Sequence, residues 1–130
     1  EEFIDSATTI ERLGSYWSVA EGEKYQALVA DAVASVKGLS GTASMSMGME
    51  ILADGTSKGA ALQWLCNYLG ISTENAAAFG DSLNDVAMLS AAGMGTAVAN
   101  ARCEDFEAAA YITLTNDEAG FSRFLTWALG

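Results

Sequence analysis

The sequence predicts an α/β protein from about residue 54 onward, preceded by an α+β piece. Three observations lead there. Beyond Asp54, short and fully apolar runs alternate with amphipathic stretches, the pattern of a parallel sheet whose strands are covered on both faces by crossover helices. Before Asp54, a helical period gives way to a period-two stretch, the mark of a helix packed on a half-buried sheet. The 130 residues suffice for one ordinary domain or parts of two. The expected division is residues 1–53 and 54–130.

In chain order, Tyr16–Ala20 reads as a strand and Glu21–Val36 as a helix. Tyr25, Leu28, Val29, Ala32 and Val36 of that helix share one face at the 3.6-residue period. In the stretch Thr42–Leu52, Met45, Met47 and Met49 alternate with Ser44, Ser46 and Gly48, which predicts strand, or two strands bent at Gly48. The methionine row fits a half-buried sheet face better than an adaptable binding face.

Ser57 is placed to cap a helix running to Tyr68, with Leu62, Leu65, Cys66 and Leu69 as its buried row and Gly70 as its stop. Ala76–Gly80 is a short apolar strand, followed by the loop Gly80-Asp81-Ser82-Leu83-Asn84-Asp85 and a helix through Val86 and Leu89. Gly95–Ala99 is a second strand, Cys103–Ala109 a brief helix and Tyr111–Leu114 a third strand. Phe121, Phe124, Leu125 and Ala128 mark a C-terminal amphipathic helix, with Asp117-Glu118 as its cap.

Charge and composition exclude several functions. Six basic residues against 17 acidic give a formal net charge of −11, which opposes nucleic acid or an anionic membrane surface as the main partner. With no histidine, the chain supplies no Ser-His or Cys-His nucleophile pair and no imidazole ligand. Cys66 and Cys103 are too few for a disulfide framework or a zinc site. No apolar run approaches the roughly 18 residues of a membrane span, and no signal peptide opens the chain, so a cytoplasmic location is expected. The first residue is Glu rather than Met, which points to a processed, trimmed or excised piece.

The chemistry is expected at the carboxyl ends of the strands, where open α/β sheets bind ligands. The strand ending at Gly80 delivers Asp81 to that edge, and Asp85 lies four residues on. Two carboxylates with the Asn84 amide make a hard-oxygen set suited to Mg²⁺, although an acidic pair opening a helix often only complements the macrodipole. Lys58 stands at a helix start, where its cation gains nothing from the dipole, whereas a cation beside free backbone N–H groups suits phosphate. Most lysines are solvated surface charges, so this signal is weak by itself. Asn100 follows the second strand and reads first as a turn residue that could also reach the site. Trp17, Trp64 and Trp127 read as core or rim packing rather than stacking platforms.

The run KGAALQWLCNYLGISTENAAAFGDSLNDVAMLSAAGMGTAVANA, followed by AAAYITLTNDEAGFSRFL, resembles the C-terminal half of Cof-type phosphatases of the haloacid dehalogenase (HAD) superfamily. The resemblance implies a HAD-like Rossmannoid core, with residues up to about 53 as the C-terminal portion of an α/β cap. It implies two-step phosphoryl transfer from small phosphorylated metabolites such as sugar phosphates, through an aspartyl-phosphate. It places Lys58 against the transferring phosphoryl group and the nucleophile's carboxylate. Asp81 and Asp85 fall on Mg²⁺, and Asn84 on the loop, the lysine or the phosphate; Ser82 is a lesser member of the same shell. P-type ATPase phosphorylation domains, phosphoserine phosphatases and phosphomutases share the G-D-x-x-N-D loop, but the run after Asn100 and the preceding cap favour the Cof type.

One departure from that family is large. Its nucleophile lies in a D-x-D-x-T loop, and the nearest match here, Leu52-Ala53-Asp54-Gly55-Thr56, has leucine at the nucleophile position; no D-x-D occurs in the chain. Asp54-Gly55-Thr56 therefore reads as a turn, and the chain alone is expected to be inactive. It would be a fragment that associates with a missing N-terminal half of the core or with itself through an exposed apolar strand edge at Ala76–Gly80. The alternative is a degenerate, non-catalytic domain that binds Mg²⁺ or a partner.

Overall fold

In the computed structural model, described for residues 11–45 and 47–130, the chain divides into two units, one through Thr56 and one from Ser57 to Gly130. In the first, β1 (Arg12–Tyr16), β2 (Leu39–Met45) and β3 (Gly48–Ala53) form an antiparallel sheet in the order β1-β3-β2. The period-two stretch is thus two strands folded back where Met45 faces Gly48. Met49 is buried, but Met47 lies exposed in the turn, so the methionine row does not share one sheet face. The side chains of Ser44 and Met45, and Ser46 itself, lie outside the described residues.

The first strand falls earlier than Tyr16–Ala20. Tyr16 pairs with Gly48, the first residue of β3, and beyond it one more bond, Trp17 N–H to the Met47 carbonyl at 3.0 Å, completes the pairing. Past that the chain turns through a short 3₁₀ segment, Val19–Glu21. The hairpin length, not the apolar run, sets where pairing stops.

Helix α1 (Gly22–Ala34) packs on β2 and β3 and uses a different face from the expected one. Val33 is buried, while Tyr25, Leu28 and Val36 are exposed. Of the expected row only Val29 is partly covered, and the sheet takes the neighbouring row through Ala30 and Val33, which lie by Leu39, Gly41 and Met49. A Cβ on Gly41 would lie 2.7 Å from the Met49 sulfur and 3.7 Å from a Val33 methyl. The bare backbone at Gly41 therefore makes room for Met49 beneath the helix.

The second unit holds α2 (Lys58–Leu69), β4 (Ala77–Gly80), α3 (Val86–Ala91), β5 (Met94–Ala97), α4 (Cys103–Ala108), β6 (Tyr111–Ile112) and α5 (Gly120–Leu129). Its strands form a parallel sheet in the order β4-β5-β6. Ala78, Thr96, Ala97 and Val98 are buried, as both-face coverage requires. Phe124 of α5 anchors an aromatic cluster, 5.4 Å from Phe79, 5.6 Å from Tyr111 and 5.2 Å from Trp127 between ring centroids. Among the described residues, the outer edge of β4 has no partner strand.

Ser57 caps α2 through its hydroxyl, which accepts the Ala60 N–H at 3.0 Å. Gly70 ends the helix at φ 69°, a left-handed conformation that glycine adopts without strain. Cys66 is buried as expected, but Leu65 and Leu69 are exposed. The packed row is Gly59, Leu62 and Cys66, because Gly59 meets α3 backbone to backbone: a Cβ there would lie 2.8 Å from the Ala87 carbonyl. Of the core or rim positions expected for the tryptophans, Trp64 and Trp127 take the rim: both are exposed, and Trp64 stacks on Tyr68 with centroids 5.4 Å apart.

Before α5, Asp117-Glu118 is not a helix cap. The Glu118 carboxylate instead accepts from the Thr115 hydroxyl at 2.7 Å and the Thr115 N–H at 3.3 Å, bonds that hold its pKa below the ordinary range. The residue preceding the helix is Ala119 at φ 59°, a conformation that costs a β-carbon about 1 kcal/mol or more. Replacing Ala119→Gly is expected to raise the urea midpoint of the second unit, with a gain of about 0.5–1 kcal/mol. An unchanged or lowered midpoint would show that no strain resides there.

Candidate active site at the carboxyl edge of the parallel sheet

The parallel sheet ends β4 at Gly80, and the chain turns at once into Asp81–Asp85 before α3. Asp85 is 2% exposed, yet its carboxylate does not cap α3. It turns back instead, and its Oδ2 accepts the N–H groups of Asp81 at 3.1 Å and Ser82 at 3.2 Å. The reading of this acid as a helix cap is thereby replaced by one in which it closes its own loop. The turn requires glycine at position 80, because a Cβ there would overlap the Asp85 side chain.

The other Asp85 oxygen, Oδ1, accepts the Lys58 ammonium at 2.5 Å. Lys58 also donates to Asn84 Oδ1 at 3.3 Å, and that oxygen accepts the Ser82 hydroxyl at 3.0 Å. Four residues singled out from the sequence, Lys58, Ser82, Asn84 and Asp85, thus form one bonded cluster. The Lys58 side chain stays half exposed (49%) while that of Asp85 does not (3%), so a cation is presented outward and its counter-charge is held within. Asp81 is exposed beside them, its side chain without a hydrogen bond among the described residues.

Asn100 is not brought into this cluster. It follows β5, and its Oδ1 accepts the Asn116 N–H at 3.3 Å, bracing the loop after β5 to the loop after β6. Asp54-Gly55-Thr56 is the turn the sequence predicts: Thr56 N–H bonds the Ala53 carbonyl at 3.0 Å, with Gly55 at φ 79°.

Asp105, at the start of α4, is a feature that sequence reasoning missed. It is fully buried (0% exposed), with Oδ2 accepting the Arg102 N–H at 3.3 Å and Oδ1 unpartnered among the described residues. An acid three residues into a helix ordinarily signals a solvated capping box, so nothing in the sequence marks this one as interior.

The parallel sheet of this α/β unit thus carries a lysine, an amide and two carboxylates together at its carboxyl edge. The chain matches the haloacid dehalogenase-like hydrolase family over residues 4–125, and it belongs to that family. It is 44% identical over 89 residues to the 5-amino-6-(5-phospho-D-ribitylamino)uracil phosphatase YcsE of Bacillus subtilis, covering 68% of this chain and 36% of that protein. It is 47% identical over 76 residues to the phosphatase YwpJ of Bacillus subtilis, covering 58% and 27%. A haloacid dehalogenase-like hydrolase structure from B. subtilis superposes with a TM-score of 0.84 at 33% identity, covering 96% of this chain and 44% of that one. The chain thus spans about a third of the length of these curated relatives. The family and the α/β fold read from the sequence are both borne out.

Asp85 should be the structural keystone and Asp81 dispensable for folding. Asp85→Ala removes the side-chain acceptor of the Asp81 and Ser82 N–H groups and leaves Lys58 with Asn84 alone, and is expected to cost about 2–4 kcal/mol. Asp81→Asn, on the surface, should change stability by less than about 0.5 kcal/mol. Urea unfolding of both variants measures this, and equal effects would refute the division of roles.

Proposed function

We propose that this chain is part of a Mg²⁺-dependent phosphatase that hydrolyses small phosphorylated metabolites, sugar phosphates among them, through an aspartyl-phosphate. In this reading residues 1–53 are the last portion of a cap and 54–130 the C-terminal half of the catalytic core. The observation that carries the proposal is the convergence of Lys58 with Asn84 and Asp85 at the carboxyl edge of β4, beside the exposed Asp81. The relatives that carry the name phosphatase support it.

Lys58 would face a phosphoryl oxygen with its remaining N–H donors, held in place by Asp85 and Asn84. Asn84 would share that contact through its amide nitrogen, with Ser82 holding the Asn84 oxygen in the orientation seen. Asn100 would serve by bracing the adjoining loop, with a phosphate contact open to it only through its amide nitrogen.

The donors present fit part of a Mg²⁺ site. Asp81 offers an unengaged hard carboxylate, and Asp85, with both oxygens already bonded, would join through lone pairs left over. No group of three or more acidic, histidine or cysteine side chains placed to hold a metal occurs among the described residues, so the remaining ligands would be phosphate, water or another segment. Bound there, Mg²⁺ would offset the negative charge of the phosphoryl oxygens, a need sharpened by the chain's net charge of −11.

The chain contains no D-x-D pair, so the nucleophile and its companion acid would come from a strand laid along the open edge of β4, in a further segment or another polypeptide. The same edge would otherwise drive self-association. No helix among the described residues is long and apolar enough to cross a membrane, and we place the protein in the cytoplasm. The absence of D-x-D also favours a second reading, a module that binds Mg²⁺ and phosphate without turnover.

Titrating inorganic phosphate and Mg²⁺ into the ¹⁵N-labelled chain should shift the amides of Lys58–Ala60 and Asn84, and Lys58→Met should weaken that response at least about tenfold. An unresponsive spectrum would sink the phosphate-site reading. With p-nitrophenyl phosphate and Mg²⁺ the chain by itself should show no turnover; activity lost in Asp81→Ala would place a nucleophile within these residues and overturn that part. Size-exclusion chromatography should show association, and a stable monomer that binds no apolar dye would contradict the open-edge argument.

A further inference from the structure

Asp105 is a buried acid that the proposed chemistry does not use. Its surroundings can be stated group by group. On its own helix Glu104 faces it with like charge; from the N-terminus of α3 Asp85 does so, and from the preceding loop Asp81. The body of α3 (Val86–Ala91) and β5 (Met94–Ala97), both packed on α4, carry no titratable side chain. No hydrogen bond joins Asp105 to Asp85 or Asp81 among the described residues. What favours the anion is the bond from the Arg102 N–H to Oδ2.

A carboxylate oxygen out of water with no donor is costly, whereas a neutral carboxyl can carry its proton on Oδ1 and still accept the Arg102 N–H through Oδ2. We propose that Asp105 is a proton-dependent latch on the connection between β5 and α4. Neutral, it closes the first turn of α4. Ionised, it is a buried charge whose Oδ1 lacks a donor, and the turn opens, with the loop 98–102 that carries the Asn100 brace to Asn116, to let water reach that oxygen.

Burial first, and then the nearby Asp85, Asp81 and Glu104 charges, raise the Asp105 pKa above the ordinary aspartate range, against the opposing Arg102 bond. The direction of the pH effect follows. With the folded value above the unfolded one, the native state binds the extra proton. The latch is therefore complete at pH values below the ordinary aspartate range and is lost as pH rises through the native value. Each unit of separation weakens the folding constant about tenfold. None of this depends on the phosphatase reading.

The test is a ¹³C titration of the Asp105 carboxyl in the wild-type chain, joined to hydrogen exchange of the Cys103–Phe106 amides across the same pH range. The Asp105 midpoint should lie above the ordinary aspartate range. Protection of the α4 amides, corrected for intrinsic exchange, should fall about tenfold per unit of that displacement, while Asp105→Asn removes the fall. A midpoint at or below the ordinary range, or parallel pH profiles in the two proteins, would overturn the latch. Should Asp105→Asn fail to fold, the wild-type midpoint decides alone.

Discussion

The second unit is organised around one buried carboxylate. Removing an ion such as Asp85 from water costs several kcal/mol, and the cost is met by donors brought from two directions, Lys58 on one oxygen and the Asp81 and Ser82 N–H groups on the other. Each donor then constrains its own element. The loop can curl back onto Asp85 only because Gly80 has no side chain. Lys58 can reach it only because α2 lies close against α3, an approach that Gly59 permits at Ala87. The geometry that holds a half-exposed cation at the sheet edge is thus the geometry that packs these two helices.

The same principle, small residues choosing the packed face, explains which apolar rows are buried. In α1 the row through Val33 meets the sheet where Gly41 leaves space for Met49, and Tyr25, Leu28 and Val36 remain exposed. In α2 the row through Gly59 and Cys66 is taken, leaving Trp64, Leu65, Tyr68 and Leu69 outside. Burying a leucine is worth roughly 1.5–3 kcal/mol, but that gain is the same in kind for either row. Close backbone approach is available to only one.

Two acids of similar sequence context end in opposite situations. Glu118 stays on the surface, where the Thr115 bonds favour its charge, while Asp105 is interior with one oxygen unpartnered and burial disfavouring its charge. Both had the outward look of acids at helix starts. The difference lies in what packs above them: α4 is pressed against α3 and β5, whereas the turn before α5 is open to solvent.

The sequence by itself determined the alternation of strands and helices beyond Asp54, the parallel sheet, the Ser57 cap and Gly70 stop, the turn at Asp54-Gly55-Thr56, and the meeting of Lys58 with the Ser82–Asp85 loop at one sheet edge. These rest on local periodicity, turn chemistry and motif spacing, which are properties of near neighbours in the chain. Only the tertiary structure decided that β1 ends at Tyr16, which apolar row of α1 and α2 is buried, that Asn100 braces a neighbouring loop, and that Asp105 is interior. Each of those depends on contacts between residues far apart in sequence, where side-chain volume and the supply of hydrogen-bond donors are set by a partner that no local pattern reveals.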